Sequence, residues 1–154
     1  MEEYLPSPSG WVAEQVKLYE GSGGTEGLTL RDTGLPVIIV TNLGKKTGAI
    51  RKTPLMRVVD GDHYILVASQ GGAPKHPLWY HNLKAEPNIE IRDKTEVRSM
   101  KVREVVDPEE RRRLWEIAVD AYPPYQEYQD KTERIIPVFL AEGREDLRQT
   151  LVPN

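Results

Sequence analysis

Four cations, Lys45, Lys46, Arg51 and Lys52, crowd around two glycines, Gly44 and Gly48, and no acid falls between Gly44 and Leu55. In a chain whose formal net charge is −3 they make a local field of the opposite sign. Glycine lets the backbone take conformations that bring a ligand close, and Thr47 and the turn amides offer hydrogen-bond donors. That combination suits a phosphate. Its alternative is a solvated hairpin turn with ordinary lysines.

A second group is Ser69, Gln70, Gly71 and Gly72, followed by Trp79 and Asn82 in the segment PLWYHNLKA. A serine and two glycines after an apolar strand leave backbone amides at the end of a sheet, where a flat ring can rest on them. Trp79 and Asn82 stand three apart and share a helix face, so an aromatic wall and an amide turn toward one place. The plainer reading is a glycine loop followed by a core tryptophan. A third group, Tyr122, Tyr125 and Tyr128, lies along one face if the chain after Pro124 is helical. These phenols are either a core stripe or a lid over a planar substrate.

Other chemistries find little support. There is no cysteine, which removes disulfides and thiol nucleophiles. His76 and His81 are too far apart in register to form a helical metal pair, so no metal site is expected. No serine, histidine and carboxylate triplet stands out, which argues against a hydrolase. The acidic balance argues against nucleic acid as a partner. No stretch is long and apolar enough to span a membrane, and the acidic start does not read as a signal peptide; a cytoplasmic protein is the expectation.

The elements that must position these groups follow from periodicity and punctuation. Residues 1–10 read as a flexible arm. Trp11, Val12, Val16 and Tyr19 recur at helical spacing, so a short amphipathic helix follows and stops at Gly21, Gly23 and Gly24. Its apolar stripe caps the core or, alternatively, touches a membrane surface. Strands are expected at 37–43, 50–59 and 63–69, the last two forming a hairpin around Asp60, Gly61 and Asp62. Pro77 starts a short helix that Pro87 closes. A further hairpin, 88–92 with 95–105, turns at Asp93 and Lys94, and broken alternation around Val97 and Met100 predicts a bulge near Arg98 and Ser99. Asp107, Pro108 and Glu110 have the cap, first-position proline and third-position glutamate of a helix start. A last strand is expected at 135–141, with Pro137 placing it at an edge or a bulge.

The chain of 154 residues suits one domain. The summed expectation is an α+β fold: a split β-barrel of about six mostly antiparallel strands with flanking helices. Residues 1–34 hold the arm and short helix, 35–142 the barrel, and 143–154 a polar tail.

Three separated blocks, GKKTGAIRKTPL, VASQGGAPKHPLWYHNLKAEP and AYPPYQEYQDKTERIIPVFL, resemble the deazaflavin-dependent nitroreductase family of actinobacteria, split-barrel proteins that use coenzyme F420. The resemblance covers residues 35–142. It implies that Lys46, Thr47, Arg51, Thr53 and Pro54 line the phosphate and side-chain region of the cofactor, with Lys45 near its acidic tail. Ser69, Gly71, Gly72, Trp79 and Asn82 then shape the ring pocket, with Ser69 also near the substrate. Tyr122, Tyr125 and Tyr128 border that substrate. Gln70 departs from the basic residue common in such proteins, and Thr53 and His76 stand where asparagine is common.

The resemblance further implies hydride transfer from reduced F420 to a conjugated acceptor: a quinone, a nitroimidazole, or an unsaturated lactone of the coumarin or aflatoxin type. Tyr125, Tyr128 or solvent would supply the accompanying proton. Two other expectations stay open: an FMN-dependent oxidoreductase on the same fold, and a carrier that binds F420 without turnover. The partner expected is a small aromatic or quinone-like molecule.

Overall fold

The computed structural model describes residues 3–30 and 33–143. Seven strands and four α-helices follow one another along it: α1 (Gly10–Gly21), β1 (Val37–Leu43), β2 (Ile50–Met56), β3 (Val59–Asp60), β4 (His63–Val67), α2 (Leu78–Ala85), β5 (Asn88–Asp93), β6 (Glu96–Glu104), α3 (Pro108–Ala121), α4 (Pro124–Asp130) and β7 (Val138–Gly143). All seven strands form one sheet in the order β2-β1-β5-β6-β7-β4-β3.

Strands β2 and β3 stand at opposite edges of that order, yet only Arg57 and Val58 separate them in the chain. Two residues cannot cross a flat sheet of this width, so the sheet curls until its edges meet. The crossing is bonded on both sides: the Arg57 amide donates to Pro36 and the Ile65 amide to Val58. Asp93, nearly buried, clasps it by accepting from Arg57 Nε at 2.9 Å and from the Tyr64 hydroxyl at 2.6 Å. This is the split β-barrel, with α+β content as expected.

Alternation partitions the apolar runs between two sides of the curled sheet. Ile38, Val40, Tyr64, Leu66, Ile91, Met100, Val102 and Phe139 fill one cluster. Ile65, Val67, Val138 and Leu140 face the other way, against Leu114 and Ala118 of α3 and Tyr125 of α4. On β1, Val37 and Ile39 pack beneath Val16 and Tyr19 of α1. The Tyr19 hydroxyl donates to the Val37 carbonyl and accepts from the Lys94 amide at 2.7 Å. The short N-terminal helix therefore packs on the core. The arm before it is held as well: Glu3 and Leu5 bond the two sides of Ile50 on the edge strand β2.

Three local expectations need correction. The strand expected at 50–59 ends at Met56, because the chain crosses between sheet edges at Arg57 and Val58. Strands β5 and β6 pair continuously from Asn88↔Lys101 to Asp93↔Glu96, so there is no bulge at Arg98 and Ser99. Val97 keeps the alternation and is an apolar residue on the exposed face. The last strand is interior, between β6 and β4, and begins at Val138; Pro137 precedes it and uses only its carbonyl, which accepts from Ala68. The tail expected beyond Gly143 lies outside the described residues.

Because each step from β1 through β5, β6 and β7 to β4 is antiparallel, β1, β6 and β4 run the same way. Their C-terminal ends share one rim with the starts of β2, β5 and β7. The connections at that rim are the β1–β2 turn, the loop and α2 between β4 and β5, and α3–α4 between β6 and β7. Those three segments hold the candidate site residues except Arg51, Thr53 and Pro54, which lie on β2.

Replacing Asp93 by alanine removes the clasp and leaves the Tyr64 hydroxyl buried without its acceptor. Urea denaturation should show a loss of about 2–3 kcal/mol at unchanged slope. A loss under about 0.5 kcal/mol would show that the crossing holds without it.

Candidate functional site

In the basic turn the two glycines act differently. Gly48 has φ +69. Gly44 is needed for space, since a Cβ there would lie 2.7 Å from Thr47 Oγ1. That hydroxyl accepts from the Ala49 amide at 3.1 Å and closes the turn. Lys45 and Lys46 are exposed, and neither forms an ion pair with the described residues.

Pairing with β1 sorts the residues after the turn onto two faces. Arg51 and Thr53 oppose Asn42 and Val40, on the side of the barrel cluster. Lys52 and Pro54 oppose Thr41 and Ile39, on the side of α1, where Lys52 pairs with Glu20. Pro54 is thus not brought to the same face as Arg51 and Thr53. Arg51 Nη1 donates to the carbonyls of Leu5 and Pro6 at 3.1 and 3.3 Å. Asn42, its cross-strand partner, is 3% exposed, and neither Nδ2 nor Oδ1 finds a partner among the described residues. An unmet buried amide costs roughly 1–3 kcal/mol, and here it stands at the strand position opposite Arg51.

Helix α2 brings the second cluster to the first. In a flat sheet β1 and β4 would stand four strand spacings, roughly 19 Å, apart. Here α2, about 12 Å long, runs from the loop after β4 toward the β1–β2 turn, and Asn82 Oδ1 accepts from the Lys45 amide at 2.8 Å. Asn82 therefore ties the turn to the helix. Trp79 lies against the barrel cluster with its ring 6.0 Å from Phe139. The rim holds α2 from below through Glu104 at the end of β6, which accepts from Tyr80 and pairs with Lys84 at 3.0 Å.

In the glycine loop, residues 70–72 form a single 3-10 turn, with Gly71 at φ +62 and Gly72 at φ +78. A Cβ on Gly71 would meet nothing within 4 Å, so its outer side is open. A Cβ on Gly72 would lie 2.6 Å from the Tyr128 carbonyl and 3.0 Å from Lys131. The tyrosine helix α4 therefore sits directly on the loop. Tyr122 and Tyr128 are part-buried and share a hydrogen bond between hydroxyls at 3.1 Å. The ring of Tyr125 contacts both edge-on, at 4.9 and 6.3 Å, and is 5% exposed in the core. Burial raises the Tyr122 phenol to about 12, helped by its bond to Tyr128, and pushes Tyr125 up as well. Both stay protonated through the neutral range.

Sequence reasoning missed Arg134. Its guanidinium donates to the carbonyls of Ala73 (2.7 Å), Ala68 (3.2 Å) and Ser69 (2.6 Å), and contacts His76 Nδ1 at 3.0 Å. All four acceptors lie in the loop, and no described carboxylate pairs with it. Nothing local signalled this role, because three of the acceptors are main-chain carbonyls. Two open depressions on the surface, along α1 and around the start of α3, contain none of these residues.

Gly71 and Gly72 predict losses of different size. Gly72→Ala should destabilise the protein by about 3 kcal/mol or more, through the overlap with Tyr128 added to an unfavourable φ. Gly71→Ala should cost only about 1 kcal/mol, from φ alone. Thermal unfolding of both variants checks this; equal losses would contradict the packing of α4 on Gly72.

Known proteins match this chain in sequence and in fold. A sequence profile described as F420H(2)-dependent quinone reductase matches residues 11–143. An F420H(2)-dependent quinone reductase of Mycobacterium tuberculosis is 37% identical over 130 residues, which cover 82% of this chain and 86% of that protein. A second protein of that organism, described as a putative F420H(2)-dependent quinone reductase, is 34% identical over 113 residues, 71% of this chain and 92% of its own. Among solved structures, the F420-H2 dependent reductase FDR-A is 48% identical with a TM-score of 0.65, over 70% of this chain and 94% of that one. A structure described as a domain-swapped dimer is 46% identical with a TM-score of 0.68, over 88% and 100%. The haem storage protein HutZ of Vibrio cholerae, 11% identical with a TM-score of 0.55 over 70% of this chain and 81% of that one, shares the fold alone. On this evidence the chain belongs to the F420H(2)-dependent quinone reductase family, and it is an oxidoreductase.

Proposed function

We propose that this chain binds reduced F420 across the shared rim and reduces a quinone held between the glycine loop and α4. The observation that carries the reading is the chain of contacts from the Lys45 amide through Asn82 and α2 to the loop, and from Gly72 to Tyr128. It links exposed cations, which form no ion pair among the described residues, at one end to an open loop beside three phenols at the other. A flavin-like cofactor with an anionic side chain needs that sequence of environments.

Lys45, Lys46 and Arg51, with Thr47 and Thr53, hold the phosphate and acidic tail. Ser69, Gly71 and Gly72 let a planar ring lie against the backbone, with Trp79 and Asn82 behind it. Bound there, reduced F420 supplies the hydride. The residues supply position, which is worth several orders of magnitude when reacting atoms are held in line. Tyr128, hydrogen-bonded to Tyr122, offers its hydroxyl to the developing oxyanion of the quinone. Tyr125 is placed to support those two rings; its burial makes it the poorer proton source. Nitroimidazoles and unsaturated lactones share the electrophilic character of a quinone and belong to the proposed acceptor range.

The test is turnover of F420H(2) with a soluble quinone, alongside binding titrations with F420 and FMN. The account predicts selective F420 binding and quinone-dependent oxidation of the reduced cofactor. Lys45→Ala with Lys46→Ala should weaken binding about 10–100-fold, with little change in melting temperature. Tyr128→Phe should lower kcat more than it changes cofactor affinity. Tight binding without oxidation across a broad acceptor panel would make the protein a carrier, and binding of FMN alone would overturn the cofactor.

A further inference from the structure

Arg134 carries a positive charge behind the glycine loop with no carboxylate beside it among the described residues. Three loop carbonyls and one imidazole hold it. In a planar trans peptide the N–H points opposite to the carbonyl that precedes it. With the carbonyls of Ala68 and Ser69 drawn toward Arg134, the amides of Ser69 and Gln70 turn to the other side. Neither amide makes a hydrogen bond within the described residues, although the next amides do: Gly72 donates to Ser69 and Ala73 to Gln70. The guanidinium thus keeps two donors aimed away from itself, in the residues that lead into Gly71, whose outer side is open.

One of its four partners titrates. His76 Nδ1 can accept from Arg134 only while the imidazole is neutral, so a proton there places two cations face to face. The groups around His76 are Arg134 from the segment before β7, Tyr80 and His81 from α2, and Glu104 from β6. Glu104 is already engaged by Tyr80 and Lys84, so it is poorly placed to offset the added charge.

We propose that Arg134 is the positioning residue of the glycine loop, that it aims the Ser69 and Gln70 amides at polar atoms on the edge of the bound ring, and that His76 makes this arrangement sensitive to protons. The proposal rests on the cofactor reading above. Its pH course has a definite sign. Burial first, then Arg134 and His81, lowers the His76 pKa from the ordinary 6.5. The neutral, bonded state is therefore complete above about pH 6.5 and is lost as the pH falls through the lowered value.

The experiment has a cofactor arm and a ligand-free arm. In the first, the affinity for oxidised F420 is followed from pH 8 to pH 5 in the native chain, His76→Asn and Arg134→Lys. Asparagine keeps a neutral acceptor that does not titrate, and lysine keeps the charge but cannot span four acceptors. The native chain should weaken about tenfold toward pH 5 relative to His76→Asn, and Arg134→Lys should bind about tenfold or more weakly throughout. In the second arm, amide NMR shifts of Ser69, Gln70 and Gly71 should titrate together with His76 in the native chain and stay flat in His76→Asn. The proposal falls if the native chain and His76→Asn follow the same course in both arms, or if folded Arg134→Lys binds like the native chain. If the native chain fails to bind F420 at any pH, the cofactor reading is overturned, and the NMR titration still decides on the latch.

Discussion

The step from β2 to β3 through Arg57 and Val58 constrains everything else, because it joins the two edges of a seven-stranded sheet with no slack. Closure turns a ladder of antiparallel pairs into a barrel with two rims. The antiparallel pairing decides that the β1–β2 turn, the loop after β4 and the α3–α4 connection emerge at the same one. The clasp at Asp93 sits at the other rim, where the β5–β6 turn, the crossing and the end of α1 converge. The clasp and the candidate site therefore lie at opposite ends of the barrel.

At the candidate-site rim, backbone polar groups hold one segment against another. Asn82 fixes the Lys45 amide, the Tyr128 carbonyl rests on Gly72, and Arg134 takes three loop carbonyls. The same rim has groups with no partner among the described residues: the Lys45 and Lys46 ammoniums, the Asn42 amide, and the Ser69 and Gln70 N–H groups. Unpaired donors and cations next to rigid supports are the arrangement expected of a surface that completes its bonding with an anionic, hydrogen-bonding ligand. Each of the supports is non-local, so the site exists only in the closed barrel.

This explains which parts were legible in the sequence. Strand and helix types were readable because apolar runs such as 37–40 and the Asp107 cap are local signals; the Asp107 carboxylate does accept from the Glu110 amide. Candidate residues were legible as clusters of the right chemistry in the right order. Their assembly was not, since it depends on strand order and on a crossing that looks like an ordinary strand interior. Pro137 misled because a proline before an interior strand and one on an edge strand look alike in sequence. Val97 misled because an exposed valine mimics a break in alternation. Arg134 was invisible for a different reason: a guanidinium that binds carbonyls has no partner residue type to look for.

The claim that three loops form one binding surface is tested most directly by amide hydrogen exchange with and without saturating F420. The account predicts that one ligand slows exchange together at residues 44–49, 69–76 and 122–131, while the turn at Asp93 and Lys94 on the opposite rim stays unchanged. Protection confined to the basic turn, or appearing at the opposite rim, would contradict it.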